Sequence, residues 1–159
     1  MAITSAICTS FKVELLKGVH NFTATTGDTF KIALYDSDAT LGASTTAFST
    51  SEEITNTSGT AYTSGGATLT SVTPVASSTT AICDFSDVSF TSASFTANGA
   101  LIYNSSASFT ANGALIYNSS DSNAAVCAIA FGSDKTATNG TFTIQFPTAD
   151  ATNAIIRLA

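Results

Sequence analysis

The sequence predicts an all-β protein, an antiparallel β-sandwich or jelly-roll-like fold with one short N-terminal helix, an immunoglobulin-like sandwich being one such arrangement. Three observations support this prediction. About seven to nine short strand-like segments are separated by turn-forming residues. Only 10% of the residues are charged, and the polar remainder is Ser, Thr, Asn and Gly, which suits strands and turns better than helices. The length suits one domain, so we expect residues 1–159 to form a single β-sandwich domain.

The helix is predicted over Ser10–Lys17. Phe11 and Leu15 lie four residues apart and share one face, and the helix can end at Gly18. Because a helix of this length is not stable in water by itself, we expect it to dock on the β core and to close one end of that core.

The first long strand is predicted over Asp28–Tyr35, where alternating residues indicate a half-buried strand. The next segment, Asp36–Thr60, is rich in Ser, Thr and Asn and has only Leu41, Phe48 and Ile54 as large apolar anchors. We therefore expect a surface excursion that is mobile in a free monomer.

The middle of the chain contains a turn and further strands. Tyr62–Gly66 predicts a turn and Ala67–Ala76 a weakly patterned strand, in which Pro74 belongs at a sheet edge or a bulge because proline donates no ladder hydrogen bond. Thr80–Phe85 and Val88–Thr91 read as one strand interrupted by two polar residues.

A tandem duplication follows, because SASFTANGALIYNS at Ser92–Ser105 is repeated without a mismatch at Ser106–Ser119. The spacing of 14 is even, so either copy fits the sheet without exchanging its buried and exposed faces. We expect one copy to lie in the sheet, and the pattern does not choose which. The pair Asn98-Gly99 predicts a small hairpin or a strand with a bulge.

The last third of the chain predicts two strands, a loop between them and a final strand. Ala124–Phe131 is a buried strand, Gly132–Gly140 a loop, and Thr141–Phe146 an alternating strand. Pro147–Asn153 turns, and Ala154–Leu158 is the last strand.

The charge excludes several classes of partner. Five basic and eleven acidic residues give a net charge of −6, and no basic run is present. Nucleic acid and anionic membrane are not expected as partners, because both require clustered Lys or Arg. The first residues lack a basic and then apolar pattern, so we expect no secretory signal, and no apolar run approaches the roughly 20 residues of a membrane helix.

The cysteines and the histidine, which often perform chemistry in proteins, are expected to have structural roles here. Cys8, Cys83 and Cys127 lack metal-binding spacing, so we expect reduced, mostly buried thiols, with one disulfide as the alternative. His20 is the one histidine and has no catalytic signature around it, so we expect a structural role.

Acidic residues are the candidates for a metal site. Asp36 with Asp38, and Asp84 with Asp87, have oxygen ligands suited to a hard cation, but neither pair completes a calcium loop, and turn formation is the preferred interpretation. The pair Glu52–Glu53 is expected to be solvated, with the carboxylates on opposite sides of the backbone.

Tyrosines are the candidates for a sugar-binding surface, although strand tyrosines more often serve packing: Tyr35, Tyr62, Tyr103 and Tyr117. Phosphate loops, dinucleotide motifs and metal-hydrolase motifs are absent from the sequence. The sequence therefore predicts no catalytic residue, no cofactor site and no metal site, and a protein that is not an enzyme.

Five segments carry a family resemblance: CTSFKVELLKGVHNF (Cys8–Phe22), DTFKIALYDSDATLG (Asp28–Gly42), GTAYTSGGATLT (Gly59–Thr70), ANGALIYNSS, and FGSDKTATNGTFTIQFPTADATNAIIRLA (Phe131–Ala159). In this order they resemble a family of small tailed-bacteriophage virion proteins, described as minor structural, head or tail-fibre components. The family pattern has a single GALIYNS segment, so the second copy is a departure from it.

The resemblance implies a virion structural protein, in the first place a capsid decoration or cement protein that binds the major capsid protein as a homo-oligomer, with a trimer favoured. It implies assembly in the host bacterial cytoplasm and a final place in the virion. Two alternatives remain: a tail, neck or fibre component that binds host-surface glycans, and a self-assembling extracellular filament subunit. The candidate interface residues are apolar: Phe11, Leu15, Leu41, Phe48, Ile54 and Tyr62.

Overall fold

Two antiparallel sheets and one short helix form the described part of the chain, which in this computed structural model comprises residues 2–54, 61–105, 117–118, 124–150, 152–154 and 156–158. The elements are β1 (Ala6–Ile7), α1 (Thr9–Leu16), β2 (Phe30–Tyr35), β3 (Ala67–Thr68), β4 (Ser71–Ser77), β5 (Thr80–Phe85), β6 (Val88–Asn104), β7 (Tyr117–Asn118), β8 (Ala124–Ile144) and β9 (Ile156–Leu158). The larger sheet has the strand order β1-β8-β6-β2-β3, with β7 pairing β2 and β8, and the smaller has the order β4-β5-β9. The predicted all-β sandwich is therefore confirmed.

A long two-stranded ribbon of β6 and β8 dominates the larger sheet. It runs from the pair Val88–Ile144 to the pair Tyr103–Ala125, with four register shifts between them. The prediction of a loop over Gly132–Gly140 is wrong, because β6 supplies hydrogen-bonding partners for much of this polar segment and so makes it a strand.

The ribbon is strongly bent. The rings of Phe131 and Phe142 lie 6.0 Å apart, although eleven residues of straight strand would separate them by about 36 Å. Register shifts flank Ala93, and both Ser92 and Gly132 have positive φ, which are the features that bend a strand. The bend turns one face of the ribbon towards itself.

The first copy of the duplication lies in the sheet, because Ser92 to Asn104 are part of β6. The Asn98-Gly99 pair is not a hairpin: the register shifts between Ala97 and Gly99, so it belongs to a bulged strand. A Cβ on Gly99 would lie 2.8 Å from the carbonyl oxygen of Ile129, which excludes a side chain there. Of the second copy, residues 106–116 and 119 lie outside the described residues.

The connection between β5 and β6 joins the two sheets. β5 belongs to the smaller sheet and β6 to the larger one, so the prediction of one interrupted strand is wrong. Only Ser86 and Asp87 lie between them, and the amide of Ser86 donates to the carbonyl of Thr70 at 3.0 Å. This two-residue corner places the sheets against each other.

The helix α1 is confirmed within one residue of its predicted bounds. It begins after Cys8, which makes no side-chain capping bond, and ends at Leu16; the C-cap Lys17 and then Gly18, whose φ is +70°, follow. Its fully buried residue is Phe11, whose ring lies 6.1 Å from that of Phe22. The helix is thus anchored by Phe11, with the half-buried Leu15 also packed against the core.

The strand β2 is buried on both faces, so the prediction of a half-buried strand is wrong. The second face is covered by residues 36–54, called the covering segment below. The amide of Ile54 donates to the carbonyl of Leu34 at 2.9 Å, and the hydroxyl of Tyr35 donates to the carbonyl of Ser49. The predicted surface excursion is therefore packed down over 36–54, and its last part, residues 55–60, lies outside the described residues.

The strand β4 is an edge strand with a register shift between Val72 and Val75, as Pro74 predicts. The final strand pairs with β5 over Ile156–Leu158, and Ala154, where the predicted strand began, is not in a strand.

Candidate interaction surface

The predicted interface residues are mostly core residues. Phe11, Leu41 and Tyr62 expose 3% or less of their surface, and Ile54 exposes 8%. Their burial corrects the prediction, because side chains packed inside this chain cannot also cover a partner. Leu15 and Phe48 are half-buried, and Phe48 stacks on Tyr103 with ring centroids 4.5 Å apart.

An apolar groove lies elsewhere, on the bent ribbon. Its volume is about 530 Å³, and both walls come from β8 and the residues just after it. Five of its lining residues are half-buried hydrophobic residues that pack against the core: Ile129, Phe131, Phe142, Ile144 and Phe146. The other lining residues are exposed: Lys135, Thr143, Gln145 and Pro147. A concave, largely apolar surface of this kind is typical of a site that binds another molecule.

The sequence showed part of this groove. Phe142, Ile144 and Phe146 alternate with polar residues, which predicted one apolar face of a strand. This face is only half-buried, and it lies on the bent ribbon of β6 and β8. That bend depends on register shifts with β6, which no local pattern on β8 records.

A buried carboxyl group organises the covering segment. Glu53 exposes 8% of its surface and accepts three hydrogen bonds. Tyr62 donates to Oε1 at 2.7 Å, the amide of Gly65 donates to Oε1 at 2.6 Å, and Ser64 donates to Oε2 at 2.8 Å. The prediction of a solvated Glu52–Glu53 pair is therefore wrong for Glu53, while Glu52 is exposed on the opposite side.

This network fastens two loops onto β2. The hydroxyl of Tyr62 also accepts the amide of Leu34 at 3.0 Å, in the middle of that strand. The hydroxyl of Tyr103 donates to the carbonyl of Gly65. Burial, with a smaller contribution from Glu53, raises the pKa of Tyr62 and of Tyr103, so both stay protonated donors over the ordinary pH range. The network is structural.

The tyrosines do not form a sugar-binding surface in the described residues. Tyr35, Tyr62 and Tyr103 each expose 1% of their surface or less. The side chain of Tyr117 lies outside the described residues.

Three exposed or half-exposed carboxylates approach one another beside the covering segment. Oxygen atoms of Asp36, Asp38 and Glu52 lie within 4.8 Å of one another. Asp36 Oδ1 accepts the amide of Asp38 at 2.9 Å, which is the turn bond that the preferred interpretation predicted. Acidic residues brought together by a turn do not by themselves make a cation site, and we assign none.

The second aspartate pair has two different structural roles. Asp84 exposes 4% of its surface, and its Oδ1 accepts the amide of Phe85 at 2.8 Å. Burial raises the pKa of Asp84, the bond from Phe85 opposes this, and the charge of Asp87 adds to it. Asp87 accepts the amide of Phe146 at 2.9 Å and so ties the β5–β6 corner to the segment after β8.

His20 contacts one carboxylate. Its Nε2 lies 3.1 Å from Glu14 Oε2, and its side chain is fully buried beside Phe11, with ring centroids 4.9 Å apart. Its Nδ1 and the hydroxyl of Ser10 have no hydrogen-bond partner among the described residues. The two are not bonded to each other, so this group is not a Ser-His-Glu triad.

The three cysteines are buried free thiols. Burial raises the pKa of Cys8 and of Cys83 to about 12, and raises the pKa of Cys127 well above its ordinary value. Cys8 directly follows β1, and Cys127 is opposite Ile7 of that strand, but no disulfide joins the two cysteines. Reduced thiols, the preferred prediction, agree with this placement.

Among the described residues, no helix has the length and apolar character needed to cross a membrane. Comparison with models of protein families, with curated protein sequences and with solved structures found no match to this chain.

Proposed function

We propose that this chain is a structural protein of a tailed-bacteriophage particle, and within the particle a capsid decoration protein that binds the major capsid protein. The groove on β8 is the observation that supports a binding role most directly. Its half-buried aromatic and aliphatic side chains lose water when a partner covers them, which is the main favourable term in protein association.

The composition supports a decoration role. A net charge of −6 with few charged residues leaves a Ser- and Thr-rich surface that resists unspecific contact with nucleic acid. A decoration protein performs no chemistry and gains its effect from many weak contacts repeated by symmetry. The buried thiols and tyrosines, whose pKa values are raised, fit such a role better than they fit nucleophilic catalysis.

The proposed oligomer is a homotrimer seated at junctions between capsid subunits. The fibre alternative, with glycan binding, has less support, because the three described tyrosines that would stack on sugars are inside the core.

The groove is tested with a matched pair of variants. Ile144→Thr replaces a half-buried groove residue by a β-branched polar one, and Val75→Thr makes the same kind of change on β4, where the side chain is 55% exposed. With purified particles stripped of the protein, we expect Ile144→Thr to weaken rebinding about tenfold and Val75→Thr to leave it unchanged. Equal rebinding by both would remove the groove from the proposal.

The place in the particle is tested separately by counting chains in intact virions by quantitative mass spectrometry. On the order of hundreds of copies is expected for a decoration protein, since it follows the symmetry of the shell. A count of about six or twelve would place the chain in the neck or tail and contradict the decoration role.

A further inference from the structure

Both copies of the duplication reach the same position in the larger sheet. Asn104 of the first copy and Asn118 of the second are each opposite Phe30 on β2. Tyr103 and Tyr117, one residue earlier in each copy, are each opposite Ala125 on β8. The space between β2 and β8 therefore has two candidate occupants from one chain.

Within the repeat, either copy would present the same side chains to the neighbouring strands. Their residues are identical, and the even spacing of 14 keeps the same side chains on the buried face. Leu101 and Ile102, both fully buried against the neighbouring strands, have identical counterparts in Leu115 and Ile116. Only the residues that flank the copies distinguish one register from the other.

We propose that the chain has two registers, one with the first copy in β6 and a second, less populated one in which Ser106–Ser119 replaces Ser92–Ser105. This inference does not depend on the proposed function. In the second register every residue of β6 is replaced by the residue 14 positions later.

The flank before the repeat favours the first register. Phe90 lies between Tyr62 and Phe142, with ring centroids 5.7 Å and 6.5 Å away. In the second register Asn104 takes the position of Phe90, and its amide enters this aromatic cluster without a hydrogen-bond partner. That exchange is the principal penalty against the second register.

The flank after the repeat favours the second register. In the first register, 19 residues, 105–123, lie between β6 and β8, and they include the two residues of β7. In the second, only residues 119–123 connect the same strands, a length typical of a β-hairpin. The corner before β6 lengthens at the same time from 2 to 16 residues. Since the cost of loop closure depends on the logarithm of length, the longer corner costs somewhat more than the shorter connection gains.

The proposal is tested by damaging one copy at a time. Leu101→Asp places a charge at a fully buried position of the first copy, and Leu115→Asp is the matched change in the second. We expect the Leu115→Asp chain to melt close to the parent and the Leu101→Asp chain to keep a cooperative transition at a lower temperature. Two further chains should lose the cooperative transition. One lacks the second copy, residues 106–119, and carries Leu101→Asp; the other, the double variant, carries both Leu101→Asp and Leu115→Asp.

Hydrogen exchange with mass spectrometry then identifies the copy in the sheet, because the substitution makes the two copies distinguishable by mass. In the Leu101→Asp chain, we expect slow exchange in the second copy. We also expect this chain to have the same oligomeric state as the parent. Loss of folding as severe as in the double variant would overturn the proposal. So would slow exchange that stays in the first copy, or a dimer formed only by the variant, which would indicate exchange between chains.

A second variant tests the flank without placing a charge in the core. Asn104→Phe supplies an aromatic ring at the Phe90 position of the second register and removes the Asn104–Asp28 hydrogen bond of 2.9 Å from the first. Slow exchange should move towards the second copy, whereas the matched Asn118→Phe chain should stay in the first register. An unchanged exchange pattern in Asn104→Phe would contradict the proposed penalty.

Discussion

Glu53 fastens the covering segment to the core by accepting hydrogen bonds from Tyr62, Ser64 and Gly65. Its position in an isolated bridge opposite Tyr35 points the carboxyl group inwards, while Glu52 next to it has a φ of +59° and is exposed. Two chemically identical neighbours thus have opposite environments, because the backbone turns between them.

Replacing Glu53 by Ala should destabilise the protein by about 3 kcal/mol, since hydrogen bonds to a charged acceptor are lost and buried donors are left unpaired. Glu52→Ala is the matched control and should change the free energy of unfolding by less than about 0.5 kcal/mol. Urea denaturation of the two variants and the parent measures both. A similar small effect at both positions would mean that the network adds little to stability.

Asp84 makes the stability depend on pH. Its pKa in the folded state is raised, chiefly by burial, so folding favours the protonated form. The contribution is therefore present at low pH and lost as the pH rises through the folded-state pKa. Asp84→Asn keeps an oxygen for the Phe85 amide and cannot ionise, so it should raise the melting temperature at pH 7 more than at pH 4. Asp87→Asn, on an exposed residue, should give a smaller gain, and an equal gain at both pH values for Asp84→Asn would contradict the burial argument.

At the scale of elements, β6 and β8 determine the shape of the larger sheet. Polar residues of the segment after Gly132 become strand because β6 offers them partners, as in the hydroxyl pair Thr96–Thr136 at 2.8 Å. The same two strands then bend and create the groove. Each effect requires both strands, so neither can be derived from β8 alone.

Deleting one copy of the duplication should stabilise the chain. Removal of residues 106–119 leaves the sequence of β6 unchanged and shortens the connection to β8 from 19 to 5 residues. The lower cost of loop closure is worth about 1 kcal/mol. Deleting 14 residues of the covering segment instead, 36–49, removes the buried Leu41 and Ala47 and should abolish cooperative unfolding. Thermal denaturation compares the chains, and loss of folding in the first deletion would mean that the second copy, which includes β7, is required for the fold.

At the scale of the whole molecule, one core joins both sheets, the helix and the covering segment. Phe22, beside the helix, stacks on Phe30 of the larger sheet at 4.4 Å and contacts Phe85 of the smaller one at 6.3 Å. The cysteines lie in or against this continuous core. Access to any of them therefore requires opening of the fold.

All three thiols should be unreactive towards a thiol reagent at pH 8 in the folded chain. All three should become reactive at the same time when the chain unfolds in urea. Burial raises the pKa of Cys8 and of Cys83 to about 12, so few of these thiols are ionised in the folded chain at pH 8. The protonated thiols therefore contribute to the stability of the fold below about pH 8, and this contribution falls as the pH rises towards 12. Val75→Cys, at a position 55% exposed, supplies a reactive control. Rapid labelling of the parent would show that the core opens locally.

The sequence by itself determined the all-β class, the helix, the edge position of Pro74 and the equivalence of the two copies, because these follow from periodicity, backbone restrictions and identity over a few neighbouring residues. Tertiary structure decided that Glu53 is buried, that β2 is covered on both faces, and that four predicted interface residues are core residues. It also decided that the first copy occupies β6. Burial is a property of what lies opposite a residue in space, and the partners of Glu53 lie 9 to 12 positions away along the chain, outside a local sequence pattern.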